Sequence, residues 1–252
     1  MKSISAVIIT LNEETNIEDC LQSVDFVDEI IVIDSGSCDR TVELARKYTP
    51  HVFSIQWTGF AAAKNFGIDR ASHDWILSID ADERVSGELK DAILAVKSLP
   101  ADVSGYSIPR RTWYLNRWIR GGGWYPDRNI RLFNRKNGRF DDVCVHESVN
   151  LAGPVEPLSG DILHFSYRDI SDHVNRINRY SSLSAQIWHE HGRRTHPLVM
   201  IFRPVWECFR SYILRGGFRD GREGIILAML HGYYVFLKYA KLRELRLHRN
   251  LP

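Results

Sequence analysis

Residues 75–84 read Trp75-Ile76-Leu77-Ser78-Ile79-Asp80-Ala81-Asp82-Glu83-Arg84, an apolar run that stops abruptly at two carboxylates spaced two apart. The run has the length and side-chain content of a buried strand. In an extended chain residues i and i+2 project to the same side, so Asp80 and Asp82 can grip one hard cation. Where a strand runs out into a loop, such a pair suits Mg²⁺ or Mn²⁺ that also takes oxygens from a substrate diphosphate. The triplet alone is a weak signal, because Asp-x-Asp also ends ordinary solvated strands. Its surroundings have to decide.

Upstream, residues 4–11 form a β-rich, nearly continuous apolar run, as expected for a central parallel strand buried on both faces. Helical spacing of Ile17, Leu21 and Val24 predicts a helix over 16–24, and a second buried strand over 29–33 ends at Asp34. A helix over 41–48, a short strand over 52–55 and a helix over 61–71 lead into the run at 75–79. Alternation of this kind predicts an α/β fold, an open and mostly parallel sheet with right-handed crossovers. Beyond Pro100 the texture changes. Strands at 105–111 and 129–133 flank an aromatic, glycine-rich loop at 113–125, and from Asp169 onward the pattern is helical over 170–191, 198–214 and 224–247. Neither internal repeats nor low-complexity segments are evident.

The 252 residues carry a formal net charge of +2, which becomes informative once located. Residues 200–252 hold ten Lys/Arg against four Asp/Glu, so the basic excess is terminal and the first 199 residues are net acidic. Aromatic and apolar residues interleave with those cations. Such a tail points to an anionic membrane surface or an acidic acceptor, and not to nucleic acid. Cys20, Cys38, Cys144 and Cys208 are scattered, without zinc spacing, and read as reduced and structural. The first apolar run meets Asn12-Glu13-Glu14 with no small-residue cleavage site, so it reads as a strand, not a signal peptide. The longest apolar stretch, 225–239, is interrupted by His231 and Gly232 and falls short of the ~18 residues of a spanning helix. A cytoplasmic protein resting on a membrane is expected.

In an open α/β sheet, ligands bind outside the carboxyl ends of the strands. Three acidic clusters fall there: Thr10-Leu11-Asn12-Glu13-Glu14, Asp34-Ser35-Gly36-Ser37-Cys38-Asp39, and Asp80-Ala81-Asp82-Glu83. Asp34 could accept from a uracil imide N–H or a ribose hydroxyl, with Gly36 admitting close backbone approach. Asp34 and Asp39 equally suit capping of the next helix.

These motifs, with Ala63-Lys64-Asn65-Phe66-Gly67, resemble the family-2 glycosyltransferases and their GT-A nucleotide-sugar fold over residues 1–165 or so. The run Pro126-Asp127-Arg128-Asn129-Ile130-Arg131-Leu132-Phe133, with Val145-His146-Glu147, is similar to the bacterial branch that adds glucose to lipopolysaccharide core heptose. The resemblance implies a GT-A domain over 1–168, with a nucleotide-sugar half (1–99) and an acceptor half (100–168), followed by a helical, basic extension over 169–252. It implies a UDP-hexose donor held by Thr10, Asn12, Glu14, Asp34, Ser35, Lys64, Asn65, Asp80 and Ala81. It further implies Mg²⁺ or Mn²⁺ on Asp82, with Asp80 and His164 assisting, and a glycan or glycolipid acceptor met by Trp124, Tyr125 and Arg131. The base that takes the acceptor proton during inverting transfer would be Glu147 or Asp127. A peripheral place on the cytoplasmic face of the inner membrane follows from such an acceptor. Three other classes compete: a sugar nucleotidyltransferase, which would want a glycine-rich basic loop after the first strand; an aspartyl phosphatase; and a non-catalytic glycan-binding module built on Trp113, Trp118 and Trp124.

Overall fold

The computed structural model describes residues 2–98, 103–141 and 148–248. In chain order the first elements are β1 (Ile4–Thr10), α1 (Ile17–Ser23), β2 (Glu29–Asp34), α2 (Thr41–Ala45), β3 (Val52–Ser54), α3 (Phe60–Arg70) and β4 (Trp75–Asp80). They are followed by β5 (Glu83–Val85), α4 (Gly87–Lys97), β6 (Gly105–Tyr114), β7 (Arg117–Trp118) and β8 (Asp127–Asn134). Four short strands then precede the helices: β9 (Gly138–Phe140), β10 (Val149–Leu151), β11 (Val155–Pro157) and β12 (Ile162–His164). Two compact units result, Met1–Arg111 with Asp127–Phe165, and Thr112–Pro126 with Ser166–Pro252.

The first unit is built on a sheet of order β3-β2-β1-β4-β8-β6-β12-β5. Every residue of β1 is buried, and the strand pairs in parallel with β2 on one side and β4 on the other. That position explains why its sequence is almost continuously apolar instead of alternating. Helices cover both faces. Ile8, Leu77 and Ile79 pack with Ile17, Leu21, Leu89 and Ile93 on one side, and Val7, Ile33 and Ile76 pack with Ala63 and Ile68 on the other. Each of the Val, Leu and Ile side chains among them contributes about 1.5–3 kcal/mol of burial. Beyond β4 the sheet turns antiparallel, through β4–β8, β8–β6 and β12–β5. The registers Thr10↔Asp34 and Ile9↔Asp80 bring the ends of β1, β2 and β4 level.

The second unit comprises α5 (Ile170–Glu190), α6 (Pro197–Phe209), a π-helical turn (Arg210–Leu214), a 3₁₀ turn (Gly217–Asp220) and α7 (Gly221–His248). The segment Thr112–Pro126, expected in the acceptor half, groups with these helices. Its Arg120 and Gly121 amides donate to the buried Asp220 carboxylate at 3.0 and 2.6 Å, and Tyr114 and Ile119 pack against Leu227. The expected single helix over 198–214 divides into α6 and the π turn. α6 seats on α7 at Gly232, where a Cβ would come within 2.2 Å of Cys208 Sγ. Among the described residues no helix is long and apolar enough to cross a membrane.

Gly67 sets how closely α3 lies on the sheet, since a Cβ there would sit 2.4 Å from Val7 Cγ1 and 3.0 Å from Ile33 Cγ1. Gly67→Ala gains up to ~1 kcal/mol of helix propensity. Overpacking against two fully buried strand residues costs ~1–3 kcal/mol. The packing term should win, lowering urea-unfolding stability by about 1–2 kcal/mol. An unchanged or higher unfolding midpoint would mean that α3 stands off the sheet.

Candidate active site at the carboxyl ends of the parallel strands

The loops after β1 and β2 are stitched together. The Asn12 amide donates to Ser37 Oγ at 2.8 Å, and the Cys38 amide donates back to Asn12 Oδ1 at 2.9 Å. The Glu14 amide donates to Asp39, and Glu14 Oε2 accepts from the Arg40 amide. Asn12 has φ 55°, a left-handed conformation that asparagine tolerates. Asp34 is buried and folds back on its own loop, accepting from the Gly36 and Ser37 amides at 3.1–3.2 Å. Asp39 accepts from the Thr41 amide at 3.0 Å, a local contact just ahead of α2, whose N-cap position is Arg40. Ser35 and Ala81 are tied by their amides to Thr10 and Ile9 carbonyls at 3.0 and 3.1 Å. Thr10 Oγ1 is buried without a hydrogen-bond partner among the described residues.

Around Asp80 the structure builds an alternating chain of charges. Lys64 Nζ, from α3, lies 3.1 Å from Asp80 Oδ1, and the Arg131 guanidinium, from β8, lies 3.5 Å from Oδ2. Arg131 also donates to Glu83 at 2.7 Å, and Glu83 has no exposed surface. Arg110 NH1 is 3.7 Å from Glu83, while its Nε and NH2 donate to Asp127 Oδ2 at 3.0 and 2.6 Å. Burial would raise the Asp80 pKa, but Lys64 and then Arg131 outweigh it and hold the carboxyl well below the usual range. For Glu83 burial prevails, with Arg131 opposing, and its carboxyl is raised.

Asp82 has a different partner. Antiparallel pairing sets His164 opposite Glu83, and the Phe165 amide donates to the Asp82 carbonyl at 2.8 Å. These contacts bring His164 Nε2 to 3.3 Å from Asp82 Oδ2, with 12% and 17% of the two side chains exposed. Neighbouring corners of an octahedron drawn at ~2.1 Å are ~3.0 Å apart, so one oxygen and one nitrogen here fit adjacent positions on a divalent cation. No three His, Cys, Asp or Glu side chains form a complete cage among the described residues. A divalent ion held at this corner would take its remaining positions from water and substrate phosphates.

Other expected residues fall differently. Arg131, expected against the acceptor, is instead buried and braces Glu83 and Asp80. Asn65 exchanges two hydrogen bonds with the Phe140 backbone, at 2.9 and 3.1 Å, and so clamps α3 to β9. Trp124 and Tyr125 belong to the second unit, where Trp124 packs with Tyr114, Tyr167 and His173. Glu147 lies outside the described residues. Glu83, which the sequence places in the acidic cluster without a role, and Arg110 are the further participants. The signals were membership of that cluster for Glu83 and, for Arg110, an Arg within a strand-like run.

Acidic strand-end loops on a sheet that changes from parallel to antiparallel, with a metal-compatible corner at Asp82, define a nucleotide-sugar-binding α/β fold of the GT-A type. The family model described as Glycosyl transferase family 2 matches residues 5–156, and the chain belongs to this family of enzymes. The lipopolysaccharide core biosynthesis glycosyltransferase LpsC of Rhizobium meliloti is 33% identical over 253 residues, covering 96% of this chain and 92% of its own length. An uncharacterized glycosyltransferase of Rickettsia typhi is 31% identical over 98% of this chain and 89% of its own. A mannosyltransferase from Pyrobaculum calidifontis, solved with GDP-Man and Mn²⁺, superposes with a TM-score of 0.57 at 16% identity over 96% of this chain and 87% of its own, a likeness of fold. Family membership sets aside the nucleotidyltransferase, the phosphatase and the glycan-binding module.

The Glu83–Arg131 pair gives a stability test. Arg131→Met leaves a fully buried carboxylate without its nearer cation and should cost about 3–5 kcal/mol in urea unfolding. Adding Glu83→Leu should recover more than half of that loss. A double variant as unstable as the single one would mean that the pair is not what the site rests on.

Proposed function

We propose that the chain is a metal-dependent, inverting hexosyltransferase that moves glucose from UDP-glucose to a lipopolysaccharide core heptose or a related bacterial glycolipid at the cytoplasmic face of the inner membrane. The observation that carries the metal-dependent reading is the Asp82–His164 corner, set beside an Asp80 already braced by two cations. Because Lys64, Arg131 and Arg110 each face a carboxylate of the chain itself, the charge of a departing diphosphate has to be met chiefly from elsewhere. A divalent ion held by Asp82 and His164 would supply that neutralisation. Support for the acceptor class comes from the likeness to LpsC along nearly the whole of both chains.

Asp34, Thr10 and the stitched loops after β1 and β2 are assigned to the nucleoside, with Lys64 near the diphosphate. In the transfer, an acceptor hydroxyl oxygen forms its bond to the anomeric carbon as the bond from that carbon to the diphosphate oxygen breaks. The hydroxyl proton passes to a carboxylate, and the nucleoside diphosphate leaves. Glu147 is assigned that carboxylate. Its rival Asp127 has one oxygen occupied by two Arg110 donors, a geometry that suits a positioning role.

Asp82→Ala should weaken Mn²⁺-dependent UDP binding by about 10²-fold or more in calorimetric titration, since it removes the anionic ligand of the ion. Glu147→Gln should leave that affinity near wild type while kcat falls by roughly 10²–10⁴. Wild-type UDP affinity in Asp82→Ala would remove the metal assignment. Near-normal turnover in Glu147→Gln would transfer the base role to Asp127.

A further inference from the structure

α6 is inside out. Leu198, Ile201, Phe202, Val205, Trp206 and Phe209 recur at helical spacing, and all are exposed, Ile201 at 60% and Phe202 and Val205 at 64%. The buried side of the same helix carries Glu207, only 6% exposed, which Arg203 reaches at 2.9 Å and Arg210 at 3.5 Å. A surface helix in water ordinarily shows the opposite arrangement. α7 adds a second exposed stripe, Ile225, Met229, Tyr233 and Phe236.

The two stripes share a face. The connector Arg210–Asp220 is short, and α6 meets α7 where Pro204 and Cys208 approach Gly232, so the helices form an antiparallel hairpin. At about 100° per residue, the α6 stripe and the α7 stripe both lie on the same rotational side of that seam. In an antiparallel pair, equal rotational sense means the same face of the pair. The surrounding sequence is cationic. Residues 193–240 carry eight Lys/Arg against three Asp/Glu, and one of those acids, Glu207, is shared by Arg203 and Arg210. Arg203, Arg215, Arg219 and Arg222 are exposed.

We infer that this face inserts into the surface of an anionic lipid bilayer, with α6 lying in the membrane plane, its aromatic and aliphatic stripe among the acyl chains and its arginines at the phosphates. Charge complementarity selects this occupant. A second copy would bring one cationic helix pair against another, whereas anionic headgroups neutralise its charge. The helices are too short in apolar content to span, so they lie at the interface. The inference stands on the second unit alone and does not depend on the reading of the donor site.

The test uses the full chain with phosphatidylethanolamine vesicles prepared with and without phosphatidylglycerol. Co-sedimentation should require phosphatidylglycerol and weaken with salt. Ile201→Ser/Phe202→Ser/Val205→Ser should lower partitioning at least ~tenfold while the thermal midpoint and Mn²⁺-dependent UDP binding stay at wild-type values. Lipids brominated in their acyl chains should quench tryptophan fluorescence, and Trp206→Phe should remove part of that quenching. This second readout decides the matter if the triple variant misfolds. Failure to bind phosphatidylglycerol vesicles overturns the inference, as does partitioning unchanged in the triple variant. A dimer in sedimentation velocity that the triple substitution dissociates would assign the face to a second copy instead. Intact UDP binding in any of these outcomes leaves the catalytic reading standing.

Discussion

A carboxylate with no exposed surface, Glu83, anchors the site. Left alone it would cost several kcal/mol, so the fold has to provide compensation. Part comes from the Asp80 amide, which donates to Glu83 at 3.0 Å and so fixes the turn between β4 and β5. The rest comes from Arg131 on β8, with Arg110 on β6 farther out. Both arginines reach Glu83 only because β8 pairs with β4 and β6 pairs with β8, so the antiparallel half of the sheet is a condition for the shape of the acidic turn. Asp80 is drawn toward Lys64 and Arg131 in the process. Asp82, two residues on, meets His164. The two carboxylates that look equivalent in the sequence thereby acquire different surroundings and different chemistry.

The parallel half of the fold was legible because its signals are local. Residues 4–11, 29–33 and 75–79 read as largely apolar runs with no alternation, and the strands fall there to within a residue: Ile4–Thr10, Glu29–Asp34 and Trp75–Asp80. α3 and α5 likewise fall within a residue of the helices expected over 61–71 and 170–191. What escaped reading depends on partners far away in the chain. Glu83 opens a three-residue strand defined only by β12, nearly eighty residues later. Arg131 looked like an acceptor contact because nothing nearby in sequence reveals that Glu83 lies under it. Asn65 sits in a motif that suggests substrate, yet its amide is engaged by Phe140. In α6 the amphipathic pattern itself was readable, but its phase relative to the rest of the protein was not. Helical spacing states that one face is apolar and is silent on which way that face turns.

The discontinuity of the second unit has a consequence for synthesis on the ribosome. β6 runs from Gly105 to Tyr114, and its last three residues belong with helices that begin only after Phe165. Tyr114, Ile119 and Trp124 therefore leave the exit tunnel well before the α7 residues, Leu227 and Ile226, that cover them. At ~5–20 residues per second, translating the roughly hundred residues between them takes about 5–20 s. During that interval the aromatic rings of Thr112–Pro126 lack their α7 cover, while β1 to β4 are already available to pair. One strand is thus completed in two events separated in time, and the nascent chain carries a short-lived sticky segment in its middle, away from both ends.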